Sequence, residues 1–280
     1  MTNVFFIPEL PEVETIRRGL EKYLVGKNII DIEVRDPKLS HGLLQGHEYH
    51  RFGDKVVSVR RFGKGLVIDL KNNYSITIHI KMTGQLIFRE NEKNDLSNKH
   101  TRVIFKLDDD TNLYFNDIRR FGWIKIVKTS EVKNLPFFKQ LGPEPFRDFT
   151  LKYFQSIVKK NNSPIKSLLM DQSKISGLGN IYANDTLNLA RINPLKKSSN
   201  LNSEEINILY KSIHNVLKKG LEFGGASQSN YVDASGQKGN YQKHFLVYDR
   251  EGEKCFNCRG IIKKIKLAGR GTYFCLNCQY

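Results

Sequence analysis

The chain has 280 residues and a formal net charge of +16 at pH 7, from 45 lysines and arginines against 29 aspartates and glutamates. This length predicts two or three domains with room for a hydrophobic core, and the positive charge indicates a polyanionic partner such as nucleic acid. No apolar run approaches the roughly 20 residues that span a bilayer, and the apolar run at residues 4–7 lacks the basic lead of a signal peptide. We therefore expect a cytoplasmic protein without membrane association.

The segment PELPEVET at residues 8–15 is the first candidate functional feature. A proline with a free amino group is a secondary amine, and its pKa near ~8 leaves a neutral fraction that can attack a sugar carbon and form an iminium. This chemistry requires Pro8 to be the first residue, because an internal proline is an amide, and seven residues precede Pro8 in this sequence. The alternative interpretation is a helix start, in which Pro11 suits the first turn and the acidic Glu12 and Glu14 suit its positive end.

Residues 56–127 are mostly strand-like. Between residues 74 and 82 apolar side chains alternate with polar ones, which is the pattern of a half-buried strand. Runs at 103–105 and 123–127 have a similar composition. This region predicts an antiparallel β-sandwich or barrel.

The pattern changes to a helical period after a linker at residues 141–145. The helical region extends over residues 151–221, and its last helix has the clearest start signal, because Asn202 can cap it with Glu205 three residues later. A glycine- and serine-rich loop follows at residues 224–239.

The carboxyl-terminal 26 residues contain two CxxC pairs. The four cysteines of the chain are Cys255, Cys258, Cys275 and Cys278. This spacing predicts one tetrahedral four-thiolate zinc site, with paired disulfides as the alternative. Between the pairs, residues 261–267 and 272–276 read as two short strands with Arg270 at the turn, where its guanidinium can clamp a phosphate.

These motifs, taken in order, resemble the bacterial formamidopyrimidine-DNA glycosylase family from residue 8 to residue 279. The matching motifs are PELPEVET at 8–15, RFGK at 61–64, HIKMTG at 79–84, DIRRFG at 117–122, LGPEP at 141–145, GLGNIYAN at 177–184, GGAS at 224–227 and GRGTYFCxxCQ at 269–279.

The resemblance implies an α+β fold in three parts. These are an amino-terminal antiparallel β-sandwich domain at 8–135, a helical domain with a helix–two-turn–helix motif at 142–240, and a zinc-stapled β-hairpin at 245–279. It also implies one structural zinc ion and a monomer that acts on double-stranded DNA containing oxidised purines or abasic sites.

The function implied is that of a bifunctional glycosylase and abasic-site lyase in base excision repair. The family removes 8-oxoguanine and formamidopyrimidines through a Schiff base and cuts the strand by β- and δ-elimination, which places the protein in the bacterial cytoplasm and on the nucleoid. One alternative is an endonuclease VIII type that acts on oxidised pyrimidines, against which LPEV at 10–13 and the Arg119-x-Phe121 pattern argue. The other is a non-catalytic DNA-binding zinc protein, which would follow if Pro8 is not the mature amino terminus.

The resemblance assigns four catalytic residues. Pro8 matches the nucleophile that attacks the sugar C1′, and Glu9 matches the general acid and base that assists ring opening. Lys64 matches the proton donor of β-elimination, and Arg270 matches the arginine that grips phosphate beside the lesion and takes part in δ-elimination. We expect the working protein to begin at Pro8, by initiation at position 7 and trimming or by proteolysis.

Six further positions match residues that contact DNA, three of them by entering the duplex when the damaged base is flipped out. The predicted set is Met82, His100, Arg119, Phe121, Lys160 and Asn180. Arg119 offers a planar donor fork towards the orphaned cytosine. Asp185 stands where the family usually has glutamate, and its shorter side chain is expected to change any hydrogen bond made near the amino terminus.

Overall fold

The computed structural model describes residues 7–39, 54–89, 99–228 and 230–280. The chain forms two compact units. The helical unit contains residues 140–223 and 241–280, and the β-rich unit contains the described residues up to 139 together with 224–240.

The β-rich unit begins with helix α1 (Leu10–Leu24), as the helix-start interpretation predicts. Pro11 lies in its first turn, where the missing N–H costs no helical hydrogen bond. Its apolar stripe is fully buried and packs against the sheet. The stripe comprises Leu10, Val13, Ile16, Leu20 and Leu24.

Eight antiparallel strands of the described residues follow. They are β1 (Asn28–Val34), β2 (Asp54–Phe62), β3 (Gly65–Leu70), β4 (Tyr74–His79), β5 (Gly84–Arg89), β6 (Thr101–Leu107), β7 (Asn112–Asp117) and β8 (Trp123–Lys128). Their order is β5-β7-β6-β1-β2-β3-β4-β8. Among the described residues, the two halves of this order meet through the two pairs Asn28↔Lys55 and Ile29↔Asp54, which fits a sheet that folds over into two layers. The predicted β-sandwich is confirmed.

Strand β4 differs from its sequence pattern in two ways. Ser75 and Thr77, on the expected polar face, are fully buried and hydrogen-bonded, so both faces of the strand are covered. The strand also ends at His79 rather than continuing to Met82. A tight turn follows because Gly84 N–H donates to the Ile80 carbonyl at 2.9 Å, and a Cβ at Gly84 would lie 2.4 Å from that oxygen.

The short helix α2 (Pro136–Lys139) closes the β-rich unit, and the helical unit then contributes α3 (Leu151–Lys159), α4 (Ile165–Met170), α5 (Asn180–Leu189) and α6 (Ser203–Glu222). The predicted cap of α6 is confirmed in both directions. Asn202 Oδ1 accepts from Glu205 N–H at 2.9 Å, and Glu205 Oε2 accepts from Asn202 N–H at 3.0 Å. Helix α5 packs between α6 and the carboxyl-terminal hairpin.

The hairpin consists of β9 (Ile262–Leu267) and β10 (Arg270–Cys275). Arg270 pairs with Leu267 across the two-residue turn Ala268-Gly269, so β10 begins two residues before the predicted start. Both turn residues have positive φ, 47° and 75°, as the tightest hairpin turns require. Among the residues that the structure describes, no helix is long and apolar enough to cross a membrane.

Candidate functional site

Pro8 and Glu9 lie buried immediately ahead of α1. The Glu9 N–H donates to Glu12 Oε2 at 2.8 Å, and the Glu9 carbonyl accepts from Val13 N–H at 3.0 Å. Glu12 is itself fully buried. The start of the helix therefore fixes the backbone next to Pro8.

The second oxygen of Glu12 binds the glycine-rich loop. Glu12 Oε1 accepts from Ala226 N–H at 2.7 Å, and a Cβ at Gly225 would lie 2.8 Å from the same oxygen. The Tyr231 hydroxyl donates to the carbonyls of Gly224 at 2.9 Å and Glu12 at 3.3 Å. Burial raises the pKa of Tyr231 well above its usual value, so it remains a donor at neutral pH. The sequence predicts Glu12 only as a helix-start residue. It does not predict the hydrogen bond from Ala226 N–H, whose donor lies 214 residues away.

Lys64 lies in a two-residue turn between β2 and β3, where Phe62 pairs with Gly65. Arg61 holds this turn against α1. Its Nε donates to Glu14 Oε2 at 2.9 Å, and another guanidinium nitrogen donates to the Gly63 carbonyl at 2.8 Å. Although burial opposes ionisation, the charge and hydrogen bond of Arg61 hold the pKa of Glu14 below its usual value, so this link is ionic at neutral pH.

His79, at the end of β4, is buried against the ring of Phe137 at 4.7 Å. Burial, together with the positive charges of Lys81 and Lys64, lowers the pKa of His79 to about 3. The imidazole is therefore neutral at pH 7, and its Nδ1 accepts the Lys81 N–H at 2.9 Å. It orders the turn that carries Met82.

The structure brings together the turn that carries Met82 and the loop that carries Arg119 and Phe121. The Thr83 hydroxyl donates to a carboxylate oxygen of Asp117 and accepts from Arg119 N–H at 3.1 Å. Phe121 is 53% exposed, and the Arg119 guanidinium lies 4.8 Å from its ring centre. His100 adjoins the same assembly, because its carbonyl accepts from Asp117 N–H at 2.9 Å.

In the helical unit, the predicted DNA-contacting residues lie on different elements. Asn180 is the first residue of α5, and the amino-terminal end of a helix favours a bound phosphate. Asn184 links this helix to the hairpin, with its Nδ2 donating to the Asn180 carbonyl at 2.6 Å and its Oδ1 accepting from Tyr273 N–H at 2.8 Å. Lys160 lies exposed at the end of α3.

Arg270 is exposed on the hairpin, and a buried lysine holds the backbone beside it. The ammonium of Lys166, from α4, donates to the Gly271 carbonyl at 2.9 Å and to Thr272 Oγ1 at 2.7 Å. Lys166 is 1% exposed, and a buried ammonium group is tolerated only with such partners. Sequence reasoning missed Lys166, and the only available signal was a lysine in an otherwise apolar helical stretch.

Asp185 is fully buried in the helical unit, where hydrogen bonds from a hydroxyl and two backbone N–H groups hold its carboxylate. It accepts from the Tyr241 hydroxyl at 3.0 Å and from the N–H groups of Val247 and Tyr248 at 3.0 and 3.1 Å. Burial raises its pKa above the usual value, against these hydrogen bonds. Asp185 therefore ties α5 to the segment before the hairpin.

The four cysteine sulfurs form a metal-binding cluster. All four Sγ atoms lie within 4.8 Å of one another, with Cys255 and Cys278 3.7 Å apart and Cys258 and Cys275 3.4 Å apart. A tetrahedral zinc ion with bonds of about 2.3 Å requires sulfur separations of about 3.8 Å. The residues fit one zinc ion, and the alternative of paired disulfides is not what the structure contains, since all four cysteines are free.

Three family models match consecutive parts of the chain. The formamidopyrimidine-DNA glycosylase N-terminal domain matches residues 7–124, and the formamidopyrimidine-DNA glycosylase H2TH domain matches residues 141–232. The zinc finger found in FPG and IleRS matches residues 252–279.

Individual relatives cover almost the whole chain. A formamidopyrimidine-DNA glycosylase of Pelotomaculum thermopropionicum is 40% identical over 98% of this chain and 99% of its own length. One from Rickettsia africae is 40% identical over 98% of this chain and all of its own length. Among solved structures, the complex between Lactococcus lactis Fpg and an abasic site containing DNA has a TM-score of 0.88 and 36% identity, covering 97% of this chain and 99% of that one. A Lactococcus lactis mutant bound to a Fapy-dG containing DNA has the same TM-score and coverage at 37% identity.

Proposed function

Because the chain belongs to the formamidopyrimidine-DNA glycosylase family, we propose that it excises oxidised purines from double-stranded DNA and then cleaves the strand at the abasic site. The observation that carries this proposal is the pair Pro8-Glu9, held at the start of α1 by Glu12, whose other oxygen binds the glycine-rich loop at Ala226. Glu12 thus connects the glycine-rich loop to the backbone beside the nucleophile.

Pro8 acts as the nucleophile once its nitrogen is a free amine. That nitrogen bonds to the sugar C1′ as the bond between C1′ and the base breaks, and the electron pair leaves with the base. Glu9, next to it in the chain, transfers the protons that open the sugar ring and give the iminium. In β-elimination water removes a proton from C2′, the bond from C3′ to the phosphate oxygen breaks with its electron pair leaving on that oxygen, and Lys64 acts as the proton donor. Arg270 holds the phosphate whose bond breaks in δ-elimination.

This mechanism needs a chain that begins at Pro8. The first family model begins to match at residue 7, and the Rickettsia africae relative is matched over its full length by 98% of this chain. The start of the family match beside Pro8 supports the assignment of Pro8 as the family's amino-terminal nucleophile.

The predicted DNA contacts divide into two kinds. Met82, Arg119 and Phe121 fill the space of the everted base, and Arg119 reads the orphaned cytosine. The second kind binds the backbone and comprises His100, Lys160 and Asn180. A net charge of +16 supports binding to DNA and hence association with the nucleoid. We propose that the enzyme acts in the cytoplasm as a monomer.

The structural zinc ion belongs to the third of the domains at 8–135, 142–240 and 245–279. When bound by the four cysteines it supplies structural order, because a short hairpin buries too little apolar surface to fold alone. Within the ordered hairpin, the contacts of Lys166 with Gly271 and Thr272 position the backbone next to Arg270.

The test compares base release from duplexes containing 8-oxoguanine or thymine glycol, using the chain that begins at Pro8. We expect release of 8-oxoguanine and strand cleavage, both abolished in Glu9→Gln, which keeps the size of the side chain and removes its acid–base function. Preferential release of thymine glycol would support the endonuclease VIII alternative. Tight binding without release of either base would support the non-catalytic alternative.

A further inference from the structure

The loop from Asp117 to Gly122 is built around one buried carboxylate. Asp117 is 1% exposed, and its Oδ2 accepts from Gly122 N–H at 2.7 Å while Oδ1 accepts from Arg119 N–H at 3.2 Å. The Arg102 Nε donates to the Asp117 carbonyl at 2.8 Å. The two ends of the loop are therefore fixed, and its centre, residue 120, depends on another contact.

That contact is an ion pair between Arg120 and Asp36. Arg120 Nε donates to Asp36 Oδ2 at 2.6 Å, and a second guanidinium nitrogen donates to Oδ1, which gives the bidentate geometry typical of strong arginine–carboxylate pairs. Asp36 is 2% exposed and also accepts from Lys38 N–H at 3.1 Å. The hydrogen bond from Arg120 holds the pKa of Asp36 below its usual value, so the pair is ionised at neutral pH.

The backbone of Arg120 lies in the left-handed region, at φ 58°. A residue with a Cβ seldom adopts this conformation unless its surroundings impose it. The reversal at Arg120 lets the two neighbouring side chains face each other, with the Arg119 guanidinium 4.8 Å from the Phe121 ring centre. The Asp36 pair is the contact that holds the residue between them.

We propose that Asp36 and Arg120 are positioning residues that set partner-base selectivity, because their ion pair fixes the left-handed turn that presents Arg119 and Phe121. The proposal rests on the proposed function, in which Arg119 reads the base opposite the lesion. Neither Asp36 nor Arg120 touches the substrate in this account. Both act through the backbone of their neighbours.

A direct phosphate contact by Arg120 is the competing role, and the structure argues against it. The guanidinium presents its Nε and a terminal nitrogen to Asp36, and the buried carboxylate beside it would repel a phosphate. A phosphate contact would also be blind to the base opposite the lesion, and it would contribute to the salt dependence of binding to every duplex.

The experiment measures single-turnover excision of 8-oxoguanine opposite cytosine and opposite adenine. The unaltered chain beginning at Pro8 is measured first, since absence of excision there would contradict the proposed function rather than this inference. Arg119→Ala provides the reference loss of selectivity. We expect Asp36→Asn to lower the cytosine-to-adenine ratio by roughly fivefold or more, towards that of Arg119→Ala.

Arg120→Gly tests the second member of the pair. Glycine adopts positive φ without strain but cannot bind Asp36, so the turn is permitted and no longer fixed. We expect the same loss of selectivity as in Asp36→Asn, and no further loss when the two substitutions are combined.

Asp31→Asn is the matched control. Asp31 also precedes the loop in sequence and forms an ion pair, with Lys106 at 2.9 Å, but this pair is exposed on strands β1 and β6. It should leave the ratio unchanged. Strand cleavage at a preformed abasic site and thermal unfolding are measured for each variant, so that a general folding defect is separated from lost selectivity.

Two results would overturn the inference. The first is an unchanged cytosine-to-adenine ratio in a folded Asp36→Asn variant. The second is that Arg120→Gly weakens binding to all duplexes and lowers the salt slope by about one unit, as the phosphate-contacting Lys160→Ala should, while Asp36→Asn does not.

Discussion

The two units hold Arg270 and Arg119, two exposed arginines with proposed roles at the DNA, by different physical means. Arg270 lies on a small hairpin that depends on a four-cysteine cluster and on the buried Lys166 ammonium. Arg119 lies on a loop of a large sandwich, where the buried carboxylates of Asp117 and Asp36 bind backbone N–H groups and an arginine. The difference follows from size, because a sandwich buries enough apolar surface to support charged groups inside it, whereas a hairpin of this length needs a metal.

Removing one zinc ligand should unfold the carboxyl-terminal hairpin and leave the β-sandwich folded. Cys275 is fully buried in the cluster. We expect Cys275→Ser to lose stoichiometric zinc and to lower DNA binding and strand cleavage by about a hundredfold or more, because the binding energy of structural zinc, on the order of 10 kcal/mol, is folding energy. Elemental analysis and a binding titration measure the two effects.

Leu276→Ala is the control for this experiment, because Leu276 is the next residue and is exposed. It should retain both zinc and binding. A zinc-free Cys275→Ser protein with full activity would contradict the account of the hairpin.

Arg61→Ala should remove the ion pair between Arg61 and Glu14 in the β-sandwich while leaving the zinc site intact. Arg61 joins Glu14 to the turn that carries Lys64, so its loss frees this turn and with it the proposed proton donor. We expect β-elimination at a preformed abasic site to slow by roughly ten- to a hundredfold, since small displacements of a catalytic group have effects of this size. Base excision should change less, and its rate is measured in parallel.

Arg18→Ala is the matched variant. Arg18 binds the same carboxylate at 3.0 Å, but its side chain is largely exposed and, among the described residues, makes no hydrogen bond to the Lys64 turn. Equal slowing in Arg18→Ala and Arg61→Ala would show that charge near Glu14, rather than the link to Lys64, controls the rate.

The fold could be predicted from sequence where the signal was local. The start of α1 near Pro11, the Asn202–Glu205 cap and the cysteine spacing depend on residues a few positions apart, and all three predictions are confirmed. The motif series also placed the family. Such signals survive in a sequence because they are set by helix period, turn chemistry and metal geometry.

The hydrogen bonds and ion pairs of the buried carboxylates could not be predicted, because their partners are distant in sequence. Asp36 and Arg120 are 84 residues apart, and Glu12 and Ala226 are 214 apart. The buried polar face of β4 was hidden for the same reason, since Ser75 and Thr77 find partners on other segments and look like surface residues in the sequence. Only the fold brings these groups together.

Lowering the pH should reduce the free energy of unfolding of the β-sandwich, because His79 is buried in its neutral form. The zinc-dependent hairpin does not contain this group. The folded pKa of His79 is about 3, against an unfolded value of 6.5. Below pH 6.5 the unfolded state therefore binds more protons, and the free energy of unfolding falls as pH drops towards 3, by at most about 1.4 kcal/mol per pH unit from this group. We expect His79→Gln, whose amide oxygen can still accept the Lys81 N–H, to show a shallower fall over that range.

Urea unfolding followed by the fluorescence of Trp123, the one tryptophan of the chain, measures this effect. Its ring centre lies 5.9 Å from that of His79. At pH 8 the two proteins should have equal pH dependence of stability from this position. Identical slopes between pH 6.5 and 4 would contradict a neutral, buried imidazole.

The central claim is that Pro8 is the nucleophile, and trapping the covalent intermediate tests it most directly. The protein is incubated with duplex DNA containing 8-oxoguanine, the iminium is reduced with borohydride, and the cross-linked peptide is mapped by mass spectrometry. The account predicts an adduct on the Pro8 nitrogen in a chain that lacks residues 1–7. An active chain that retains those residues, cross-linked at another amine such as Lys64 or not at all, would contradict it.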